Sequence, residues 1–158
     1  MPATIEQAMS IPTTTAMMPT ITHDAPNQIV TVYVVVTLNP DGQDITIAAA
    51  PVALLQGPWS VRWNLIVATP GLHAQFGDPG ILIDAAGLPP RVSVGTILSQ
   101  PDHCAAQVSN AAQSSNQFNY WISVTWMWGN SETMVKTVHD PTIAVTQDPV
   151  GAIIQPVG

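Results

Sequence analysis

The sequence predicts an all-β protein, a single antiparallel β-sandwich of about seven or eight short strands, Ig-like or jelly-roll-like in kind, with at most one short helix. Three observations predict it. Phe118, Tyr120, Ile122, Val124, Trp126 and Trp128 occupy successive even positions, which a strand places on one face and a helix scatters around its circumference. The run IVTVYVVVTL from Ile29 to Leu38 is dense in β-branched and aromatic residues, the types that suit a pleated, half-buried surface. Fifteen prolines punctuate the chain, and proline is tolerated in turns and at sheet edges but breaks helices.

The elements follow in order. Residues 1–28 carry Thr, Pro and Met without a sustained period and read as an N-terminal arm, flexible or packed on a neighbouring subunit, with Met17 and Met18 as candidate contacts. Residues 29–147 read as the sandwich domain and 148–158 as a tail. After Leu38, Asn39-Pro40-Asp41-Gly42 supplies turn chemistry, because Pro presets φ and Gly accepts a positive one. Asp44 to Ala49 is a second, shorter strand. Trp59, Val61, Trp63, Leu65 and Val67 alternate with Ser60, Arg62 and Asn64, a strand with one apolar face. Ile81 to Ile83 and Arg91 to Leu98 are further short candidates. Residues 101–113 fit either a short helix, with proline in its first turn, or a long loop. Gly129-Asn130 turns the aromatic strand into Met134 to Val138, and Thr142 to Thr146 is the last strand. Between those two, Asp140-Pro141 has a local role: Pro141 holds Asp140 extended and withholds a donor where the final strand begins.

Only 8% of the residues are charged, against about 25% in an ordinary soluble domain. A surface so poor in charge repels its own kind weakly and suits packing against another surface. The only cations are Arg62, Arg91 and Lys136, and the net charge is −7. Three scattered cations cannot follow a phosphate backbone or hold an anionic bilayer, which argues against nucleic acid and membrane as partners. No apolar run reaches the ~18 residues of a membrane helix. Cys104 is the single cysteine, so no disulfide forms within the chain. The opening MPATIEQAMS lacks the basic and apolar regions of a secretory signal, so a cytoplasmic protein is expected.

Chemistry-bearing patterns are sparse. His23, His73, His103 and His139 are far apart in sequence and Cys104 has no partner cysteine, so no metal or cofactor is expected. There is no G-x-S-x-G elbow for a hydrolytic serine. Asp78 and Asp84 form a carboxylate pair of the kind chance provides in a chain with ten acids. Asn39, Asp41 and Asp44 have spacing that would wrap Ca²⁺, but the same residues are turn formers and a hairpin turn accounts for them. Of the five tryptophans, Trp126 and Trp128 join Phe118's face, and Trp59 and Trp63 share another apolar face. Trp121 falls on the opposite face with Met127. Exposed, these two make an apolar spot suited to a sugar ring or a neighbouring subunit.

The C-terminal pattern FNYWISVTWMWGN…VKTVHDPTIAV resembles the closing segment of bacterial inclusion-body proteins of the AidA/PixA type and of the small DP-EP proteins, named for such dipeptides. TVYVVVTLNPDG and WSVRWNLIV fall where a first strand and a mid-chain Trp strand stand in that pattern, and the resemblance spans residues 29–147. It implies a compact β-sandwich without established enzymatic activity that sometimes accumulates as ordered cytoplasmic material. The expectation is therefore a non-enzymatic protein that self-associates as a homo-oligomer or binds a protein partner, with no catalytic residues. The alternative is a small-ligand or carbohydrate-binding module using Trp121.

Overall fold

The computed structural model describes residues 19–146. In chain order its strands are β1 (Ile21–Asp24), β2 (Ile29–Leu38), β3 (Ile45–Ala48), β4 (Val52–Leu54), β5 (Gly57–Val67), β6 (His73–Leu82), β7 (Val92–Val94), β8 (Leu98–Ser99), β9 (His103–Asn110), β10 (Asn116–Asn119), β11 (Trp121–Met127), β12 (Val135–His139) and β13 (Thr142–Val145). The described residues contain no α-helix, only a 3-10 turn at Ala85–Gly87. None of their helices is long and apolar enough to cross a membrane.

The largest sheet is built on β2, β5 and β9. Val30, Val32, Val34, Val36 and Leu38 of β2 are buried at alternate positions, as the stiff branched side chains of a pleated strand favour. One edge of β2 pairs in parallel with β5, from Ile29↔Ser60 to Val36↔Val67. Its other edge is shared by β1, opposite Ile29 to Val32, and β3, opposite Val35 to Leu38, both antiparallel. β5 pairs antiparallel with β9, whose far edge is divided between β7 and β8. This sharing of edges, with the division of the aromatic strand into β10 and β11, gives thirteen strands where the sequence pattern indicated about seven or eight.

Three expectations need correction. The sheets are mixed, not purely antiparallel, since β2–β5 and β13–β4 are parallel pairs. Residues 39–56 carry the chain away and back, so β5 enters beside β2 in the same direction, as parallel pairing requires. Residues 103–110 form β9, neither helix nor loop. Cys104, Ala106, Val108 and Asn110 turn inward at alternate positions, and pairing with Gly57 to Asn64 outweighs alanine's helix preference. The sheet also begins earlier than residue 29, because Ile21–Asp24, within the segment read as an arm, pairs with β2. Four residues are too few to show a period of their own.

The turn after β2 forms as its residues dictate. Gly42 has φ +72°, and its N–H donates to Asn39 O at 2.9 Å. Asp41 Oδ1 accepts from Gln43 N at 3.0 Å, and Asp44 Oδ1 accepts from Ile45 N and from Thr137 Oγ1.

The C-terminal strands make one long hairpin. Asn119 faces Thr142 in β10–β13, and Ile122 faces His139 in β11–β12. The register is therefore the same on both sides of the break, three residues on in one strand and three back in the other. The break falls at Pro141, which has no N–H to give the ladder. Its carbonyl still accepts from Tyr120 N at 3.1 Å. β4 extends one end of this hairpin beside β13, and β6 extends the other beside β11.

Side chains from all three sheets meet in one buried cluster. Trp59, Trp63 and Tyr120 are its largest fully buried members. Trp63 Nε1 donates to Tyr120 Oη at 3.2 Å, and the two rings lie 5.6 Å apart, joining β5 to the hairpin. Trp59 Nε1 donates to Leu55 O at 2.9 Å. A buried aromatic of this size carries a large hydrophobic stabilisation, provided its polar atom keeps a partner.

Asn110 adds a polar tie that the sequence did not signal. It is 2% exposed. Its Nδ2 donates to Leu54 O, Leu55 O and Thr146 O, each at 3.0 Å, while its Oδ1 accepts from Ala112 N. One amide thus fastens β9 to the ends of β4 and β13.

Candidate functional site

The outward face of β6, β11 and β12 is where the structure departs most from a plain covering surface. Strand alternation sends Ile122, Val124 and Trp126 inward and Trp121, Ser123, Thr125 and Met127 outward. Cross-strand partners share a face, so Leu82, opposite Trp121, and Val138, opposite Ser123, also point outward. Leu82 is 53% exposed and Val138 51%. Trp121 between them is half-buried.

These three residues line an open hollow of about 570 Å³ together with Pro79, Ile83, Ala85 and Ser123. Two charged side chains complete its lining, Lys136 from β12 and Asp84 from the segment after β6. Lys136 lies opposite Thr125. Asp84 caps the 3-10 turn by accepting from Ala86 N at 3.0 Å.

The floor of the hollow is unusual. Between Ile122 and Val124 the register of β11 with β6 shifts, so that Ser123 has Gly77 to Gly80 looping past it. A Cβ on Gly77 would come within 2.5 Å of Ser123 Oγ, so glycine is what lets β6 cross this closely. Ser123 is 7% exposed, and its hydroxyl has no hydrogen-bond partner. A buried hydroxyl without a partner costs roughly 1–3 kcal/mol. Ser99 supports the loop from behind: its Oγ accepts from Gly80 N at 3.0 Å and donates to Gly77 O at 3.3 Å.

Trp121 and Met127 do share the outward face, but they do not form one spot. Six residues of strand separate them, roughly 20 Å at the rise of a β-strand. Met127 lines a second hollow of about 490 Å³ with Val67, Leu72, His73, Gln75 and Met134. Met17 and Met18 lie outside the described residues. Asp140 and Pro141 stand at the break of the hairpin, beside the Trp121 end.

The remaining titratable groups are dispersed. Among the described residues no three His, Cys, Asp or Glu side chains converge as metal ligands would. His23 packs edge-on to Trp59, and its Nε2 lies 3.1 Å from Ala53 O. His103 Nδ1 and Asp102 Oδ1 are 2.6 Å apart on an exposed turn, and that hydrogen bond holds the Asp102 carboxyl below its ordinary range. Burial pushes the Cys104 thiol up, which keeps it a packing residue and a poor nucleophile.

What reading the residues in sequence missed was the set brought by β6, the segment after it and β12: Leu82, Asp84, Lys136 and Val138. Each is an ordinary residue in its own segment, and only the pairing of β6 and β12 with β11 gathers them around Trp121. No family model matches the chain, and no curated protein matches it.

Proposed function

We propose that this protein is a non-enzymatic binding protein that self-associates through the outward face of β6, β11 and β12. The observation that carries the reading is Leu82 and Val138, each more than half exposed, flanking a half-buried Trp121. Contiguous apolar surface of this kind marks a contact site more often than a free face. The low charge of the whole chain supports it, since little repulsion or solvation of long charged side chains opposes the approach of a second surface. We also propose that the sheets are the two layers of a sandwich, a reading supported by the Trp63–Tyr120 contact between β5 and the hairpin. Cytoplasmic placement and inclusion-like accumulation belong to the same proposal. They are supported by the single cysteine and by the resemblance to inclusion-body proteins.

A second reading is a small-ligand or carbohydrate site in the same hollow. Its favouring observation is the Ser123 hydroxyl, buried without a partner beside an aromatic wall. The hollow's size falls in the range of small-molecule sites. Molar mass by light scattering separates the two. The self-association reading expects an oligomer that falls to the 16.7 kDa monomer when Trp121→Ala trims the patch. A monomeric wild-type protein at every concentration overturns self-association and leaves the ligand reading in its place.

A further inference from the structure

We infer that a second copy of this chain covers the face around the Trp121 hollow, docked about a two-fold axis so that Lys136 of each protomer meets Asp84 of the other. This rests on the self-association reading above and adds its geometry.

The two charges stand at different levels of the face and on different sides of β11. Trp121 is opposite Leu82 and Thr125 is opposite Lys136. Four residues of β11 therefore separate the levels of Leu82 and Lys136, roughly 13 Å at the rise of a strand. Asp84 follows two residues after Leu82, beyond the end of β6, and lines the same hollow. The charges also lie on opposite sides of β11, because β6 and β12 flank it. They are diagonal corners of one apolar face.

Neither corner has an ion-pair partner among the described residues. The one ion pair among the described residues is His103–Asp102. Lys136 is one of only three cations in the sequence, and it stands at the rim of an apolar hollow.

Which occupant satisfies both corners follows from their spacing. A small anion would pair with Lys136 and leave Asp84 unmet, and a small cation would do the reverse. A free amino acid carries both signs, but its charges are one carbon apart. The complementary surface must be apolar in its middle and carry a carboxylate and a cation at this same spacing, in reversed order. This face, rotated by half a turn about an axis near Ser123 and Val138, is such a surface. That is the isologous contact of a closed dimer, in which each pairing occurs twice.

The test uses charge reversal in the full chain, with association measured by light scattering and sedimentation. Wild type is expected at twice 16.7 kDa. Lys136→Glu places two carboxylates together at both ends of the contact, and Asp84→Lys places two cations there. Each is expected to weaken the dimer about tenfold or more. An equimolar mixture of the two variants is expected to dimerise again, because both pairings in the mixed dimer are attractive. The double variant Asp84→Lys with Lys136→Glu is expected to dimerise alone. Recovery in the mixture shows that both variants are folded. A monomeric wild type overturns both this geometry and the self-association reading. A wild-type dimer unmoved by either reversal overturns the geometry alone and moves self-association to another face. Two weakened variants that fail to recover on mixing also overturn it.

Discussion

The two faces of the aromatic strand are made from one stretch of sequence and finished in opposite ways. On the even side, Phe118, Tyr120, Ile122, Val124 and Trp126 are buried. Every polar atom they carry is matched: Tyr120 Oη accepts from Trp63, and Trp126 Nε1 donates to Thr137 Oγ1 at 3.1 Å. On the odd side, Trp121 is half-buried with apolar neighbours in the open, and Ser123 holds an unmatched hydroxyl. The even face is complete within one chain. The odd face leaves a buried hydroxyl unmatched and its apolar flanks open. The lesson is that satisfied polar atoms, and not hydrophobicity alone, distinguish a closed core from an open face, because Trp rings stand on both.

The largest effect that breaks the comparison is on the even side. Trp63→Ala removes a fully buried ring and strips Tyr120 Oη of its donor. The expected loss is about 3–5 kcal/mol of unfolding free energy, measured by denaturant titration. A loss under about 1 kcal/mol would show that this face is not closed around Trp63.

Next comes Tyr120→Phe, which keeps the ring and deletes the hydroxyl. The Trp63 N–H is then buried without an acceptor, at an expected cost of roughly 1–3 kcal/mol. The same variant has a signature in pH. Burial raises the Tyr120 phenol well above its ordinary pKa of 10.0, and the hydrogen bond from Trp63 offsets only part of that. Below pH 10 the folded and unfolded chains both keep this proton, and it contributes no slope. Above that point the unfolded chain releases it while the folded chain keeps it, so stability falls by about 1.4 kcal/mol per pH unit. Tyr120→Phe is expected to flatten that fall, and an unchanged slope would assign it to another group.

The smallest effect sharpens the comparison from the odd side. Ser123→Ala removes a hydroxyl that has no partner. Truncating a matched buried hydroxyl costs about 1 kcal/mol, whereas this change is expected to be neutral or stabilising by up to about 1 kcal/mol, the relieved desolvation being partly offset by lost packing. A clear destabilisation, read from the same denaturant titration, would mean that the hydroxyl is matched in the folded protein.

Much of the strand content was legible from local pattern. The alternation from Phe118 to Trp126, the β-branched run of β2 and the turn at Asn39 to Gly42 each carry their signal within a few residues. β1 was not legible, because four residues hold no period. β9 was misread because its inward residues include Ala106 and Asn110, which are not the residues of a typical strand core. Asn110 illustrates the cause. Its burial follows from three carbonyls that β4 and β13 bring to it, and nothing near it in sequence announces them.

The candidate site divides along the same line. That Trp121 faces away from Phe118 was determined by the sequence alone, since side chains alternate on any strand. So was the scarcity of charge. That Trp121 and Met127 belong to different hollows was decided by the lengths of β6 and β12 and by their register against β11. That Lys136 and Asp84 line one hollow with Trp121 was decided by the same pairing, which sets β6 and β12 on either side of β11. The division has a physical reason. Which way a side chain points is set by backbone geometry within its own strand. What it points at is set by hydrogen-bond register between strands that lie far apart in the chain, and that register exists only once the sheet has formed.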